Sequence, residues 1–233
     1  MFDGGPEQME AEMRKGPLFR NRRQAGQALA RVLSAYADRR DVLVLALPRG
    51  GVPVGFEVAE ALHAPLDVFI VRKLGVPGRE EYAMGAIASG GVRVLNESVA
   101  RLLHISDAAI EEVARTEQQE LQRRERLYRD ARPPPKVRGR TVLVVDDGLA
   151  TGSTMRVAVR AVRRQAPARV VVAAPVAAPE ACELLRGEAD DVVCAEMPSP
   201  FWGVGRWYLD FSQTSDEEVC RLLHNARRHS PLS

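Results

Sequence analysis

The sequence predicts an α/β protein: a doubly wound, mostly parallel sheet with one long loop rich in glycine and charge and a small aromatic C-terminal segment. Three observations lead there. Continuous apolar runs of five to eight residues, VLVLAL (42–47), LDVFIV (66–71), TVLVV (141–145) and RVVVAAPV (169–176), have the composition of strands buried on both faces. Between them lie segments with apolar residues at helical spacing, the alternation that builds a parallel sheet with crossover helices. The first three runs each end in a loop rich in glycine and charge, where ligands sit in open α/β sheets.

Residues 1–17 are polar and marked by Gly and Pro, and read as a loose extension. Residues 21–39 carry Ala25, Ala28, Leu29, Val32, Leu33 and Tyr36, the stripe of an amphipathic helix. Strand 42–47, the loop LPRGG, a helix over 52–62 and strand 66–71 make one βαβ unit with a buried parallel pair. KLGVPGREEYAMG (73–85) reads as a long loop rich in Gly and charge, and AIAS and VRVL as a hairpin joined across Gly90 and Gly91. Asn96 and Ser106 are candidate N-caps, the second opening a charged helix to about Arg129 that the prolines 133–135 stop. After strand 141–145 come a helix from Ser153, strand 169–176, a helix over 179–186 and a strand over 191–195. MPSPFWGVGRWYLDFSQ (197–213) breaks the alternation and gathers aromatics before a closing helix over 215–228. The expected division is an N-terminal extension (1–20), a core (21–195) and an aromatic hood with the last helix (196–233).

Hydrophobic residues at 45% and charged residues at 27% exclude a largely disordered chain. A net charge of +2, from 33 basic and 31 acidic side chains, gives no global field for a nucleic acid or a membrane, and neither partner is expected. In QQELQRRERLYRDAR (118–132) opposite charges interleave, which suits a solvated or subunit-facing helix. Cys182, Cys194 and Cys220 are odd in number and far apart in sequence, with no Cys-x-x-Cys and no histidine pair for a zinc site, so a reducing cytoplasm is expected. No apolar run reaches about 18 residues, and the acidic start MFDGGPEQMEAEM is unlike an export signal.

The clearest chemistry follows strand 141–145. Gly152, flanked by Thr151, Ser153 and Thr154 at a helix start, offers backbone N–H groups, hydroxyls and a positive dipole end, a cup for a phosphate monoester. The spacing matches neither a nucleoside triphosphate loop nor a dinucleotide fingerprint. Asp146 and Asp147 beside such a cup would repel a polyphosphate unless they face something else, and sugar hydroxyls, with or without a divalent cation, fit that role.

DDGLATGST, preceded by four apolar residues, resembles the phosphoribosyl-pyrophosphate motif of the type I phosphoribosyltransferases. LPRGGVPVG resembles the family's pyrophosphate loop, and VRKLGVPG its strand and the start of its lid. The resemblance implies that Asp146 and Asp147 hold the ribose hydroxyls and that Ala150, Thr151, Gly152, Ser153 and Thr154 hold the 5′-phosphate. It also implies that Arg49, Gly50 and Gly51 contact pyrophosphate, helped by Arg72 and Lys73, with Mg²⁺ arriving on the phosphoribosyl pyrophosphate and no metal cage of protein ligands. No protein nucleophile is required, and the histidines at 63, 104, 224 and 229 are not placed for one. Gly148 and Ala150 depart from the family pattern: the first replaces an apolar residue, and the second stands where the 6-oxopurine branch carries an acid. In the hood, Phe201, Trp202, Trp207, Tyr208 and Phe211 are the candidate stacking surface for a nucleobase-like acceptor, and Glu80, Glu81 and Tyr82 could close the lid. The expected function is transfer of ribose 5-phosphate to a purine-like base by a cytoplasmic homodimer; the alternative is a non-catalytic regulator that binds the same sugar phosphate or a nucleotide.

Overall fold

Five successive apolar residues form β1 (Val42–Ala46), and all five are buried. Val42, Val44 and Ala46 join one hydrophobic cluster while Leu43 and Leu45 join another, so the period-two alternation of a strand serves two faces that are both covered. Each such side chain taken out of water contributes about 1.5–3 kcal/mol, which makes this run a fixed centre for the fold. The computed structural model describes residues 16–130 and 132–229. Most of the expected loose extension therefore lies outside the described residues, as do the side chains of Glu80 and Glu81.

Helix α1 (Arg22–Val32) precedes β1, and Asn21 caps it by accepting from the Gln24 N–H at 3.1 Å. Helix α2 (Gly51–Leu62) crosses to β2 (Leu66–Val68), which pairs parallel to β1. The apolar run expected to continue to residue 71 breaks here, because Phe69 and Ile70 stay buried while the chain leaves the sheet. It then forms β3 (Val71–Val76) and β4 (Arg79–Ala88), an antiparallel pair that replaces the expected lid loop. Pro77 and Gly78, the latter at φ +74°, make the turn, and the charged residues that follow begin β4 rather than a coil. β5 (Val92–Leu95) completes a three-stranded antiparallel sheet through the expected Gly90–Gly91 hairpin. Helices α3 (Glu97–Leu102) and α4 (Asp107–Arg129) open on Asn96 and Ser106, whose side chains accept from the N–H groups of Val99 and Ala109.

The chain re-enters the parallel sheet as β6 (Thr141–Val145), followed by α5 (Ser153–Arg163), β7 (Arg169–Val176), α6 (Pro179–Arg186), β8 (Asp191–Glu196) and α7 (Asp216–His229). The strand order is β2-β1-β6-β7-β8, all parallel, with β1 and β6 in register from Val42 opposite Thr141 to Ala46 opposite Val145. Residues of α2, α4 and α7 pack on one face, and those of α5 and α6 on the other. After β1 the chain winds outward to β2; β6 starts the other half on the opposite side of β1. The carboxyl ends of β1 and β6 therefore flank the switch point, where neighbouring loops diverge and leave a crevice. The hood has its own cluster, in which Phe19, Ala25, Val176, Trp207 and Tyr208 pack together. Residues 18–20 pair with it: the N–H groups of Leu18 and Phe19 donate to the Trp207 carbonyl, and that of Asp210 donates to Arg20.

Candidate functional site at the switch point

The ends of β1 and β6 stay together past the last strand residues, since the Leu47 N–H donates to the Val145 carbonyl at 2.8 Å. The Gly51 N–H donates back to Leu47 at 3.0 Å and closes residues 47–51 into a tight turn, in which the Pro48–Arg49 peptide is cis. This turn rests on the acid pair. A side chain at 51 would begin 2.8 Å from the Val145 carbonyl and 3.1 Å from Asp146 Oδ1, and one at 50 would fall within the Asp147 carboxylate. Gly50 and Gly51 are glycines because the two acids occupy that space.

Asp146 Oδ1 accepts the Asp147 N–H at 2.9 Å. Asp147 Oδ2 accepts from Arg22 Nε at 2.7 Å, and Arg22 Nη1 donates to the Ser212 carbonyl at 2.7 Å. The guanidinium of Arg22 lies 4.0 Å above the Phe211 ring, and the Tyr208 hydroxyl donates to the Asp147 carbonyl oxygen at 2.6 Å. Burial pushes the Asp146 carboxyl well above the usual carboxylate range, and the charge of Asp147 adds to this. Burial raises Asp147 as well, against the opposing hydrogen bond and charge of Arg22. Arg22 is a residue that no sequence motif pointed to, and Tyr208, expected as a stacking face, meets the acid turn through its hydroxyl instead; only the fold brings both there.

The cup is anchored on the end of β7: the Leu149 N–H donates to Val176 at 3.0 Å, and the Ala178 N–H donates to Leu149 at 2.8 Å. Gly152 has φ +71°, so the chain turns there directly into α5, with Ala181 and Leu185 of α6 behind it. Gly152 is buried, while Ala150, Thr151, Ser153 and Thr154 are exposed. The Thr151 hydroxyl donates to Ser153 Oγ at 3.1 Å. Helices α1, α2 and α5 open with no acidic residue in the first turn, whereas α3, α4, α6 and α7 each carry at least one. The helix ends nearest the acid pair thus keep their positive dipole free for an anion.

The other expected residues divide. Arg49 Nη1 lies 3.8 Å from Asp216 Oδ1, an oxygen that also accepts from the Tyr128 hydroxyl at 2.6 Å. Arg72 pairs with Glu117 at 2.6 Å, and Lys73 is exposed beside it; both belong to the separate three-stranded sheet, opposite Ile87 and Ala86. Trp202 is 62% exposed and lines an open pocket of about 460 Å³ together with Ala150, Thr151, Glu180, Phe201 and Gly203. Trp207 does not offer a stacking face: it is 3% exposed, its ring filling the hood core beside Phe19, Ala25 and Val176. Tyr208 is equally enclosed, and Phe211, 37% exposed, covers Arg22, so of the five hood aromatics Trp202 has the most open ring. Tyr82 is exposed on β4.

A family model described as the phosphoribosyl transferase domain matches residues 78–211. The Mycobacterium tuberculosis protein Rv0571c, provisionally named a phosphoribosyl transferase, is 46% identical over 211 residues, which is 91% of this chain and 47% of that protein. The chain thus spans about half the length of the curated relatives it matches. The crystal structure of TT1426 from Thermus thermophilus is 44% identical with a TM-score of 0.77, covering 89% of this chain and 98% of that one. The family match runs through the acid pair, the cup and the hood, and the chain belongs to the phosphoribosyl transferase domain family.

Proposed function

We propose that the protein transfers ribose 5-phosphate from phosphoribosyl pyrophosphate to a nitrogenous base, a purine-like one being the favoured acceptor, and releases pyrophosphate. The observation that carries this reading is that loop 47–51 sits directly on the acid pair that leads into the cup at 150–154. One crevice then offers groups for a sugar's hydroxyls between two places for phosphate.

In the reaction the bond from the anomeric carbon to the pyrophosphate oxygen breaks as the bond to the base nitrogen forms, with positive charge building on the ribose and negative charge on the leaving group. Asp146 and Asp147 accept hydrogen bonds from the ribose hydroxyls and fix the ring. Amides and hydroxyls of residues 150–154 hold the 5′-phosphate. Arg49 with the amides of Gly50 and Gly51 receives the leaving pyrophosphate, and Arg72 and Lys73 approach from the neighbouring sheet. Arg49 and Arg72 must first leave Asp216 and Glu117; both pairs are partly exposed, and such pairs are worth about 0–1 kcal/mol. Trp202 supplies the face against which the base stacks. Mg²⁺ carried in by the phosphoribosyl pyrophosphate would supply positive charge to the leaving group, with the carboxylates of Asp146 and Asp147 the candidate residues to face it. The interleaved charges of α4 are our candidate subunit contact for a homodimer, and three free cysteines suit a reducing cytoplasm.

The test is pyrophosphate release from Mg-phosphoribosyl pyrophosphate with a panel of bases, comparing the native chain with the double variant Asp146→Asn/Asp147→Asn. Release by the native chain alone is expected; equal release by both proteins would end the proposal. A second reading, a non-catalytic regulator, draws support from Asp147, Arg49 and Arg72, each of which already holds an internal partner. Calorimetric binding of phosphoribosyl pyrophosphate without turnover on any base would select it.

A further inference from the structure

Cys182 and Cys194 look unrelated in sequence, yet the fold sets them face to face. Cys182 lies on α6 and Cys194 on β8, the edge strand of the parallel sheet, with Sγ atoms 3.2 Å apart. Both belong to the hydrophobic layer between that sheet and helices α5 and α6. Cys182 is 1% exposed, whereas Cys194 is half-buried at the sheet edge, where a small oxidant can reach the pair. The hydrogen bond from the Cys194 thiol, with the charge of Arg186 one turn along α6, holds the Cys182 thiol below its usual range, and the same bond and burial push Cys194 up. Cys182 is therefore the sulfur of the pair that more readily gives up its proton. A disulfide bond is about 2.05 Å long, so closure needs a shift of only about 1 Å.

We propose that Cys182 and Cys194 form a reversible intramolecular disulfide, a redox site built behind the phosphate cup. With hydrogen peroxide as oxidant, one sulfur attacks a peroxide oxygen, giving a sulfenic acid and one water. The second sulfur attacks the first and expels the second water. Two thiols lose two electrons and two protons, one S–S bond forms, and the peroxide leaves as two waters. A dithiol returns the pair to its reduced state by exchange.

The link to the cup is short. Ala181, next to Cys182, and Leu185, one turn further, are the residues behind Gly152, with Ala181 Cβ 3.5 Å and Leu185 Cδ1 3.3 Å from where a Cβ on that glycine would lie. The Ala178 N–H at the start of α6 holds the Leu149 carbonyl. Drawing α6 toward β8 moves the support of residues 149–154, and close-packed interiors transmit such shifts.

The experiment uses the full chain, oxidised with hydrogen peroxide and then returned to dithiothreitol. Thiols titrated in denaturant should fall from three to one and recover to three, and peptide mapping should find residues 182 and 194 joined with the loss of two hydrogens. Cys220 serves as the internal control, since it contacts the Leu127 carbonyl on α4 and not the pair. Three thiols surviving oxidation, a disulfide through Cys220, or irreversible over-oxidation of 182 or 194 would each overturn the proposal. The link to the cup is measured without any ligand, as amide hydrogen exchange of residues 149–154. It should change several-fold between the oxidised and reduced chain, and not at all in Cys194→Ser or Cys182→Ser. Identical exchange in a chain shown to carry the disulfide would overturn the link.

Discussion

Arg22 reaches Asp147 across 125 positions of sequence, and no residue does more to make the acid pair tolerable. A half-buried carboxylate without a cation is costly, and the second acid beside it raises that cost. Because the Arg22 and Asp147 side chains are 12% and 14% exposed, replacing the arginine leaves a charge largely cut off from water. Arg22→Ala is expected to lower stability by about 3 kcal/mol, the scale of a broken buried pair, and to weaken ribose 5-phosphate binding. Arg22→Lys should recover only part of this, because one ammonium cannot meet both Asp147 and the Ser212 carbonyl in the arginine's geometry. Chemical denaturation and calorimetry on the two variants decide it, and a neutral Arg22→Ala would remove the arginine from the site. Asp146 gives a pH signature. Its carboxyl titrates above the usual range because burial resists its charge, so the native state holds the proton more tightly than the unfolded chain. The stability this residue contributes is complete below the ordinary aspartate pKa of about 3.9 and is lost as pH rises through the raised native value. Asp146→Asn keeps the Oδ1 acceptor for the Asp147 N–H but cannot ionise. It should match the native protein near pH 4, exceed it in stability at pH 8, and lose sugar-phosphate binding. An asparagine variant less stable than native at pH 8 would contradict the assignment.

Elements show which physical signals a sequence carries. β1, β6 and β7 were legible because burial on both faces writes an uninterrupted apolar run, and the caps at Asn96 and Ser106 because side-chain-to-amide bonds are local. Residues 73–85 misled because glycine and charge look like a loop, while the Pro77–Gly78 turn and the pairing of residues 73–76 with 79–86 make them a ribbon. At the site, DDGLATGST and RGG were legible as chemistry, but the latch on Asp147 was not. Arg22 and Tyr208 lie 125 and 61 positions away, and their roles depend on how α1 and the hood dock. Trp207 was misplaced for a related reason: aromatic content tells of burial and of stacking alike. Gly148 is clearer in three dimensions than in sequence, where it reads only as a looser turn. A Cβ there would lie 2.5 Å from Val204 Cγ1 and 2.9 Å from Val204 Cγ2, so the missing side chain makes room for the 3₁₀ turn Val204–Trp207 of the hood. Gly148→Ala should therefore push the hood off the acid turn, lowering stability by about 1–3 kcal/mol, the range for overpacking. Val204→Ala in the same chain should restore most of the loss. A double variant no better than the single one, measured by thermal unfolding, would place the strain elsewhere.

At the scale of the molecule, the proposed site draws on three separate pieces: the ends of β1 and β6 from the parallel sheet, α1 with the hood, and β3 with its charged pair Arg72 and Lys73 from the second sheet. The first two are already bonded to one another through Asp147, by Arg22 from α1 and Tyr208 from the hood. The third is tied instead to α4, through Arg72–Glu117 and Arg93–Glu111. A ligand holding only a sugar and its 5′-phosphate should consequently stabilise the first two pieces and leave the third unchanged, while one that also carries pyrophosphate should reach all three. Saturating ribose 5-phosphate, at about 100 times its Kd, is expected to add about 2.7 kcal/mol of stability. Hydrogen exchange should slow at residues 146–154 and 204–212, but not across β3 and β4. Mg-phosphoribosyl pyrophosphate should slow it at 47–51 and 71–76 as well, as Arg49 and Arg72 exchange Asp216 and Glu117 for phosphate oxygens. Equal protection of β3 by both ligands, or of neither loop by the larger one, would mean that the second sheet plays no part in holding the leaving group.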